Sequence, residues 1–344
     1  MRRFKFSVGP WNVSDGTDVY GPATRQNLSL EEKIRRFAEI GFSAVQFHDD
    51  DVVPDISSKS EEQIIAEAKS VKALLDRYNL KAEFVAPRLW FDPAFKDGAY
   101  TAPKAASWEH ALWRSYRSID IANVLGCDLI VLWLAREGTL CLESKKPVDA
   151  IRQLVESINR MLRYDDKIRI AIEPKPNEPI DRSYAGTMGH ALAVAGLTID
   201  PSRVGGLLES AHAIIAGLEP THEMAFALAA GKLWSVHLND QNGVRFDQDR
   251  IFGAENLRST FNQIKVLCDN NYGAEGQYIG LDVKAMRSSA DAYGFKHLEN
   301  SLKVVQLMEN KVDRLDQSKI DAFVAADDYE GLEMYILELL LVSC

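Results

Sequence analysis

Eight apolar runs with the composition of buried strands recur along this chain of 344 residues, and helix-like segments separate them. Runs of this kind suit strands that are covered on both faces, as in parallel sheets. Alternation of strand and helix favours an α/β fold, and eight such units favour a single (β/α)8 TIM barrel. The predicted strands are Phe4–Gly9, Ala44–Phe47, Lys81–Val85, Leu129–Trp133, Ile168–Glu173, Val204–Glu209, Leu233–His237 and Tyr278–Asp282.

Helix-start signals support the segments between these strands. Ser29 followed by Glu32 is the pattern of a capping box, which satisfies free backbone N–H groups at a helix N-terminus. Ser107 is a candidate N-cap, and Pro147 is typical of a first helical turn. The predicted helices span 30–40, 61–78, 107–125, 148–164, 187–195, 224–230 and 256–271.

The last part of the chain differs in character from the rest. We expect a barrel domain over residues 1–310 and a short C-terminal helical extension over 311–344, with helices at Leu315–Phe323 and Gly331–Val342. The run Tyr335–Val342 is too apolar to lie free in water. Either the outside of the barrel or a second subunit must cover it, and we expect a homo-oligomer, a dimer or a tetramer.

Composition excludes several classes of partner. A net charge of -10 gives no electrostatic footprint for nucleic acid or for an acidic membrane surface. No apolar stretch reaches the ~18 residues of a membrane span. The first apolar run is interrupted by Lys5 and Gly9, whereas a signal peptide has a continuous apolar region. We therefore expect a cytoplasmic protein. The cysteines, expected to be free thiols, are Cys127, Cys141, Cys268 and Cys344.

Charged and aromatic residues stand at or just after the predicted carboxyl ends of the strands. They are Trp11, His48, Trp90, Trp133, Glu173, Glu209, His237 and Asp282. Barrel enzymes build their active sites on this face from several strand ends. The last four offer three carboxylates and one imidazole, a set that suits a divalent metal ion. A single residue of this kind is more often a satisfied polar group, but four in succession favour a metal site.

A second group of possible ligands lies beside the first. His212 follows Glu209 by three residues, and Asp247 and Asp249 form a D-x-D pair after the seventh strand. Such a pair can bring two carboxylates to one ion, and a shared Glu209 would bridge to the first metal. Taken alone, the aspartate pair could instead belong to a solvated loop with Asx turns.

The segment 172–179, Ile-Glu-Pro-Lys-Pro-Asn-Glu-Pro, joins a buried strand to a loop stiffened by three prolines. Glu173 ends the strand and Lys175 follows two residues later, so both can face one pocket. A surface loop with a salt bridge is the alternative interpretation. Other distinctive segments are 47–51, 95–98, 136–138 after Trp133, 209–212, 241–243, 246–249 and 252–254.

In this order, across about residues 4–310, the segments resemble the xylose isomerases of the shorter class. The resemblance implies an aldose–ketose isomerase that opens a cyclic sugar and moves a hydride between adjacent carbons with two divalent ions, Mn²⁺, Co²⁺ or Mg²⁺. It implies that His48, oriented by Asp51, assists ring opening and that Lys175 holds the carbonyl oxygen. The second metal, with a water near Asp249, would move the hydroxyl proton. Metal site one would consist of Glu173, Glu209, His237 and Asp282, and metal site two of Glu209, His212, Asp247 and Asp249.

Aromatic residues complete the implied pocket. Trp11, Trp90 and Trp133 would exclude water from the hydride transfer, although a tryptophan at a strand end is as often core packing. The family also lends an aromatic residue from a neighbouring subunit to the pocket, and Tyr20 holds that position here. An exposed tyrosine in a loop is the other interpretation.

The chain departs from the xylose isomerases at several positions. His237 stands where they have an aspartate, as in the related rhamnose isomerases and ketose epimerases. Trp90 replaces a phenylalanine, Leu207 an asparagine, and Ala86–Arg88 a stretch of threonines and an asparagine. A metal-dependent ketose epimerase and a non-catalytic sugar- or metal-binding barrel are therefore the alternative functions. His237 could also turn away and bond Asn239 or Asp240.

Overall fold

A computed structural model describes residues 4–244 and 246–342 of the chain. Eight parallel strands close into a barrel, because the last strand pairs with the first through Phe6 opposite Ile279. The (β/α)8 prediction is confirmed. The strands are β1 Phe6–Val8, β2 Ala44–His48, β3 Lys81–Ala86, β4 Leu129–Trp133, β5 Arg169–Glu173, β6 Val204–Glu209, β7 Leu233–Leu238 and β8 Ile279–Leu281.

Helices surround the barrel, and short helices follow two of the strands that carry site residues. They are α1 Leu30–Ile40, α2 Asp49–Val52, α3 Glu61–Arg77, α4 Ala105–Leu125, α5 Pro147–Tyr164, α6 Met188–Gly196, α7 Ser210–Ile215, α8 Pro220–Ala229, α9 Leu257–Asp269, α10 Lys296–Asp313, α11 Gln317–Ala325 and α12 Tyr329–Leu341. The short strands Gly138–Thr139 and Arg182–Ser183 form a separate antiparallel pair above the barrel strands.

Some helix boundaries differ from the predicted ones for identifiable reasons. Ser107 does not cap a helix, because α4 already begins at Ala105. α8 begins at Pro220 instead of residue 224, since Pro220 supplies a helical φ angle and the Glu219 side chain accepts the Thr221 backbone N–H. Helices α2, α7 and α10 were not predicted. The Ser29 cap is present: its side chain accepts the backbone N–H of Glu32.

The barrel interior contains an apolar layer with a polar layer beside it. The apolar layer consists of Phe84, Ala86, Leu129, Val131, Ala171 and Leu207, with Trp11 and Trp234 packed against it. The polar layer consists of the buried side chains Ser7, Gln46, Glu83 and Ser235. Other apolar strand residues, such as Val45, Phe47 and Val236, belong to the larger outer core that includes residues of the surrounding helices.

The C-terminal extension folds back on its own chain. Phe323 and Tyr335 bring α11 and α12 together with ring centroids 6.2 Å apart, and Lys311 Nζ donates to the Leu339 carbonyl oxygen at 2.7 Å. Ile336 is buried but Leu341 is 79% exposed, so α10 and α11 cover only part of the apolar run. Among the described residues no helix combines the length and apolarity needed to cross a membrane. Cys344 lies outside the described residues.

Candidate active site

A cavity of about 260 Å³ opens at the carboxyl ends of the barrel strands. Its lining includes Trp11, His48, Trp90, Trp133, Glu173, Glu209, His212, His237, Asp247, Asp249 and Asp282. This volume is slightly below the usual range for ligand pockets, which is about 300–1,000 Å³. A larger cavity of about 730 Å³ lies at the opposite end of the barrel, where Trp234 and Lys167 line it. Barrel enzymes use the carboxyl face, so the smaller cavity is the candidate active site.

The residues predicted for metal site one form a compact donor set. Ligand atoms of Glu173, Glu209 and His237 lie within 4.8 Å of one another, and all three residues are buried. Asp282 Oδ2 lies 3.8 Å from His237 Nδ1. Burial and then the charge of Glu209 raise the pKa of Glu173 well above its ordinary value. The buried carboxylates of Glu173 and Glu209 and the half-buried carboxylate of Asp282 repel one another unless a cation or protons compensate them, so the donor set fits a divalent metal ion.

His237 faces this carboxylate group from the next-to-last position of β7. Its Nδ1 lies 3.3 Å from Glu209 Oε2, and its Nε2 lies 3.1 Å from Gln46 Oε1. The ring therefore turns toward the carboxylates, and not toward Asn239 or Asp240. Burial lowers the pKa of His237, but the hydrogen bond to Glu209 and the charge of Asp282 outweigh burial and raise it overall.

Metal site two shares Glu209 with the first group. His212 Nε2 lies 3.3 Å from Glu209 Oε1 and 3.1 Å from Asp247 Oδ2. Two further atoms, His212 Nδ1 and Asp247 Oδ1, are inaccessible to solvent and have no hydrogen-bond partner among the described residues. Unsatisfied donors and acceptors are costly in a protein interior, so unpartnered polar atoms here fit a site that binds a cation.

The aspartate pair is held inside the site. Asp249 is buried, and Lys284 Nζ contacts its Oδ2. Asn239 Nδ2 donates to Asp249 Oδ1 at 3.3 Å and to Glu209 Oε1 at 2.9 Å. Asp249 lies outside the compact group of Glu209, His212 and Asp247. The pair therefore does not form a solvated loop, and Asp249 has a cationic neighbour that the sequence interpretation did not anticipate.

Lys175 lies on the same side of the cavity. Its Nζ is 2.7 Å from Asp247 Oδ2 and 5.3 Å from the centre of the Trp133 ring. Burial lowers the pKa of Lys175, but the carboxylate of Asp247 outweighs burial and raises it. Glu178 accepts the backbone N–H groups of Phe246 and Asp247 at 2.8 and 3.0 Å. The proline-rich segment thereby fixes the D-x-D loop as well as presenting Lys175.

His48 and Asp51 form a second pair at the cavity. The His48 backbone N–H donates to Asp51 Oδ2 at 2.9 Å, and His48 Nδ1 lies 3.2 Å from the same oxygen. Burial raises the pKa of Asp51, but its interactions with His48 outweigh burial and lower it. The one-turn helix α2 begins directly after His48, which brings Asp51 back beneath the imidazole.

Aromatic rings surround this pair. Trp11 and Trp90 lie 4.4 and 5.1 Å from the His48 ring centroid, and Trp90 lies 4.4 Å from Trp133. Trp11 has a further contact, because its Nε1 donates to Asp282 Oδ1 at 2.9 Å. Tyr20 does not line the cavity of its own chain: it is 82% exposed on the loop between Asp18 and Gly21. Its predicted role in a neighbouring pocket stays a prediction.

Sequence reasoning missed the buried residues that support the site. Lys284 follows Asp282 by two residues, and Gln46 precedes His48 by two. Residues two apart in an extended segment point to the same side, and this spacing could have identified both. Glu83 is an acid inside an otherwise apolar strand, which is the signal that could have identified it. Asn239 was considered only as an alternative partner for His237.

Known proteins with related sequences or folds are sugar isomerases and epimerases. A xylose isomerase from Thermus thermophilus is 36% identical over 289 residues, which is 83% of this chain and 73% of that protein. The structure of a D-tagatose 3-epimerase-like protein matches 90% of this chain and 99% of its own with a TM-score of 0.65 at 17% identity. D-psicose 3-epimerase with D-tagatose from Clostridium cellulolyticum H10 matches 88% and 99% with the same TM-score at 11% identity.

The two structures share the fold with this chain at identities too low to carry function. The sequence profile of the xylose isomerase-like TIM barrel family matches residues 34–276. This range includes β2 to β7 and nine of the eleven cavity-lining residues named above. The chain therefore belongs to the xylose isomerase-like TIM barrel family.

Proposed function

We propose that the protein is an aldose–ketose isomerase that opens a cyclic sugar and moves a hydride between its first two carbons. The observation that carries the proposal is that His48 and Asp247 line one cavity with the other carboxylate and imidazole groups, and that each has a charged partner behind it: Asp51 contacts His48, and Lys175 contacts Asp247. An isomerase needs a proton-transfer group for ring opening and a cation for the carbonyl oxygen. A site that only binds a metal needs neither.

Two divalent ions would be held by Glu173, Glu209, His237 and Asp282 and by Glu209, His212, Asp247 and Asp249. When bound, they would supply positive charge that polarises the carbonyl and hydroxyl oxygens of the sugar. The assignment is supported by the buried carboxylates of site one and by the unpartnered Asp247 Oδ1 of site two.

Ring opening needs a proton at the ring oxygen and the loss of one from the anomeric hydroxyl. His48 would move this proton through the ring nitrogen that does not face Asp51, while the carboxylate of Asp51 keeps the imidazole oriented. Trp11 and Trp90 restrict the imidazole on two sides. The open-chain aldehyde is thereby formed inside the cavity.

In the second step a hydride moves with its electron pair from C2 to C1. The C2 hydroxyl loses its proton and becomes the ketone, and the C1 oxygen gains a proton, so atoms and charges balance. Lys175 would hold the oxygen that carries the developing negative charge, because Asp247 keeps its amine protonated. The hydroxyl proton would move by way of a water beside Asp249, whose carboxylate Lys284 and Asn239 hold in the site. The tryptophan rings exclude water from this step.

A ketose epimerase is the second candidate, and His237 is the observation that favours it. This imidazole stands among three carboxylates of a set that is otherwise all oxygen. In an epimerase, carboxylates remove and return a proton at a carbon next to a ketone. Lys175 and the His48–Asp51 pair have no evident task in that reaction, so we favour the isomerase.

The test is a panel of pentoses and hexoses incubated with Mg²⁺, Mn²⁺ or Co²⁺ in heavy water. The proposal predicts ketose formed from at least one aldose, with no solvent deuterium on carbon in early product, measured by NMR. Deuterium on carbon together with a C3-inverted ketose would indicate the epimerase. If metal binds but no product forms, both enzyme hypotheses are contradicted, and the result favours a non-catalytic sugar- or metal-binding barrel.

A further inference from the structure

A buried hydrogen-bonded chain leads from the barrel interior to the back of His237. Gln46 Oε1 lies 3.1 Å from His237 Nε2, and Gln46 Nε2 lies 2.9 Å from Glu83 Oε2 and 3.1 Å from Ser7 Oγ. Ser235 Oγ donates to the other Glu83 oxygen at 2.7 Å. Ser7, Gln46 and Ser235 are fully buried, and Glu83 is 7% exposed where it borders the cavity at the opposite end of the barrel.

The contact with Glu83 decides which way the Gln46 amide points. Gln46 Nε2 donates to Glu83 Oε2. Burial raises the pKa of Glu83, but the hydrogen bonds that it accepts from Ser235 and Gln46 favour the carboxylate, which can only accept and so holds the NH2 group of Gln46 in this orientation. The amide oxygen of Gln46 then faces His237, where it can only accept. His237 Nε2 must therefore carry a hydrogen, because a bare nitrogen there would set two acceptors against each other at 3.1 Å.

The opposite ring nitrogen faces the candidate metal ligands. His237 Nδ1 lies 3.3 Å from Glu209 Oε2 and 3.9 Å from Glu173 Oε1. A histidine binds a metal through an unprotonated nitrogen, and the hydrogen bond at its other nitrogen selects which one that is. With the hydrogen on Nε2, the lone pair of the neutral imidazole is on Nδ1 and faces Glu209 Oε2, so these two acceptors are compatible only with a cation that both of them bind.

We propose that Gln46, oriented by Glu83, fixes His237 in the tautomer that presents Nδ1 to the metal of site one. This inference rests on the metal site of the proposed function. Gln46 and Glu83 are positioning residues, since neither lines the cavity at the site. They come from β2 and β3, while His237 comes from β7. The series of hydrogen bonds Glu83–Gln46–His237, called the relay below, therefore crosses the barrel interior.

The relay predicts that metal affinity depends on residues that never touch the metal. Gln46→Leu removes the acceptor at Nε2 with a side chain of similar length. Glu83→Gln allows the Gln46 amide to turn over, because the new side chain can donate as well as accept. We expect each change to weaken Mn²⁺ binding by about 10–100-fold, the usual effect of removing such a partner. Mn²⁺ titration by calorimetry measures it on the full chain at one fixed pH.

Ser235→Ala is the matched control. It removes one hydrogen bond of Glu83 but leaves the contacts Glu83–Gln46 and Gln46–His237. Its Mn²⁺ affinity should stay within about threefold of wild type, well inside the loss expected for the two relay variants. Thermal melts in EDTA check that each variant folds, and a variant that fails to fold is replaced by Gln46→Met.

The tautomer itself is read by NMR of protein labelled with 15N-histidine and loaded with diamagnetic Mg²⁺ or Zn²⁺. His237→Asn assigns the signal. We expect a hydrogen on Nε2 in wild type and in Ser235→Ala, and a mixed or reversed pattern in Gln46→Leu. Wild-type affinity and an unchanged tautomer in both relay variants would overturn the inference.

These readouts do not depend on turnover. If no sugar is isomerised but Mn²⁺ binding and the tautomer respond to Gln46, the relay stands and the proposed reaction fails. If sugars are isomerised but the relay variants bind Mn²⁺ normally, the reaction stands and the relay fails.

Discussion

The ammonium group of Lys175 and the carboxylate of Asp247 lie 2.7 Å apart, although 72 residues separate them in sequence. Each stabilises the charged form of the other. Burial disfavours both charges, yet the pKa of Lys175 is raised, mainly by Asp247. The pKa of Asp247 is lowered well below its ordinary value, because His212 and then Lys175 outweigh burial. The cation proposed for the substrate oxygen and a ligand proposed for metal site two are therefore one electrostatic unit.

Lys175→Met should reduce kcat by about 10²–10³-fold, the usual effect of losing one group that stabilises transition-state charge. Methionine keeps the length and apolar stem of the side chain but removes the charge. Mn²⁺ binding should persist, because Asp247 retains His212 as a neighbour. Steady-state kinetics and calorimetry measure the two effects. Lys69→Met, on the exposed side of α3, is the control, and equal losses in both variants would contradict the role.

Glu173→Gln should abolish metal-dependent activity and remove most of the thermal stabilisation by Mn²⁺. At a free Mn²⁺ concentration of 100 times Kd, one bound ion stabilises a protein by about 2.7 kcal/mol. Melting curves with and without Mn²⁺ measure this difference. Glu62→Gln, a fully exposed change, is the control. Retention of both activity and Mn²⁺ stabilisation would rule out Glu173 as a ligand.

The metal-free form of the same variant gives a separate test by pH. A raised carboxylate pKa in the folded state favours the protonated form, so the wild-type protein loses stability as the pH rises through that pKa. Glutamine cannot ionise and avoids this loss. We expect the melting temperature of Glu173→Gln relative to wild type, both in EDTA, to increase between about pH 4 and pH 8. A difference in melting temperature that does not change with pH would mean that the pKa of Glu173 is not raised in the folded protein.

His48→Gln should slow the reaction of cyclic sugars by about 10²–10⁴-fold, the range for general acid–base groups. D-Glyceraldehyde is too short to form a ring, and its conversion to dihydroxyacetone should change much less. The ratio of the two rates isolates ring opening from hydride transfer. His222→Gln, at an exposed position of α8, serves as the control. Equal loss on both sugars would assign His48 to another step.

His237→Asp should raise activity with Mg²⁺ relative to Mn²⁺, because Mg²⁺ prefers oxygen ligands and binds nitrogen poorly. In wild type, Mg²⁺ should be the weaker activator. The pKa of His237 is raised above its unperturbed value of about 6.5, so Mn²⁺ affinity should fall as the pH drops through that raised pKa. Without metal the sign reverses: the protonated imidazole stabilises the fold at low pH, and this contribution is lost as the pH rises. An unchanged metal preference would exclude His237 as a ligand.

The protein should be a homo-oligomer, with a dimer favoured over a tetramer. Leu341 and Val342 are 79% and 54% exposed on the last helix and its end, and Tyr20 is 82% exposed on its loop. Light scattering at micromolar concentration tests the assembly. Tyr20→Ser should preserve the melting temperature but lower kcat/KM if a partner's Tyr20 reaches the pocket. A monomer with full activity would refute both statements.

Much of the fold was predictable because strand and helix signals are local. The predicted limits of β4 and β6 agree with the structure, and Pro147 begins α5 as its fixed φ angle suggested. All parallel strands of a closed barrel have their carboxyl ends on one face. Placing Glu173 and Glu209 at strand ends therefore sufficed to predict that they line one cavity. Leu207, noted only as a departure, proved to be a buried member of the interior layer.

The barrel, the family and the set of residues at its carboxyl face could be inferred from local periodicity and short motifs. The contacts that hold these residues in place could not, because they join parts of the chain that are distant in sequence. Gln46 and His237 are 191 residues apart, and Lys284 and Asp249 are 35 apart, so only closure of the barrel brings them into contact. Ring orientation and protonation depend on such contacts, because in a buried site each donor must meet an acceptor.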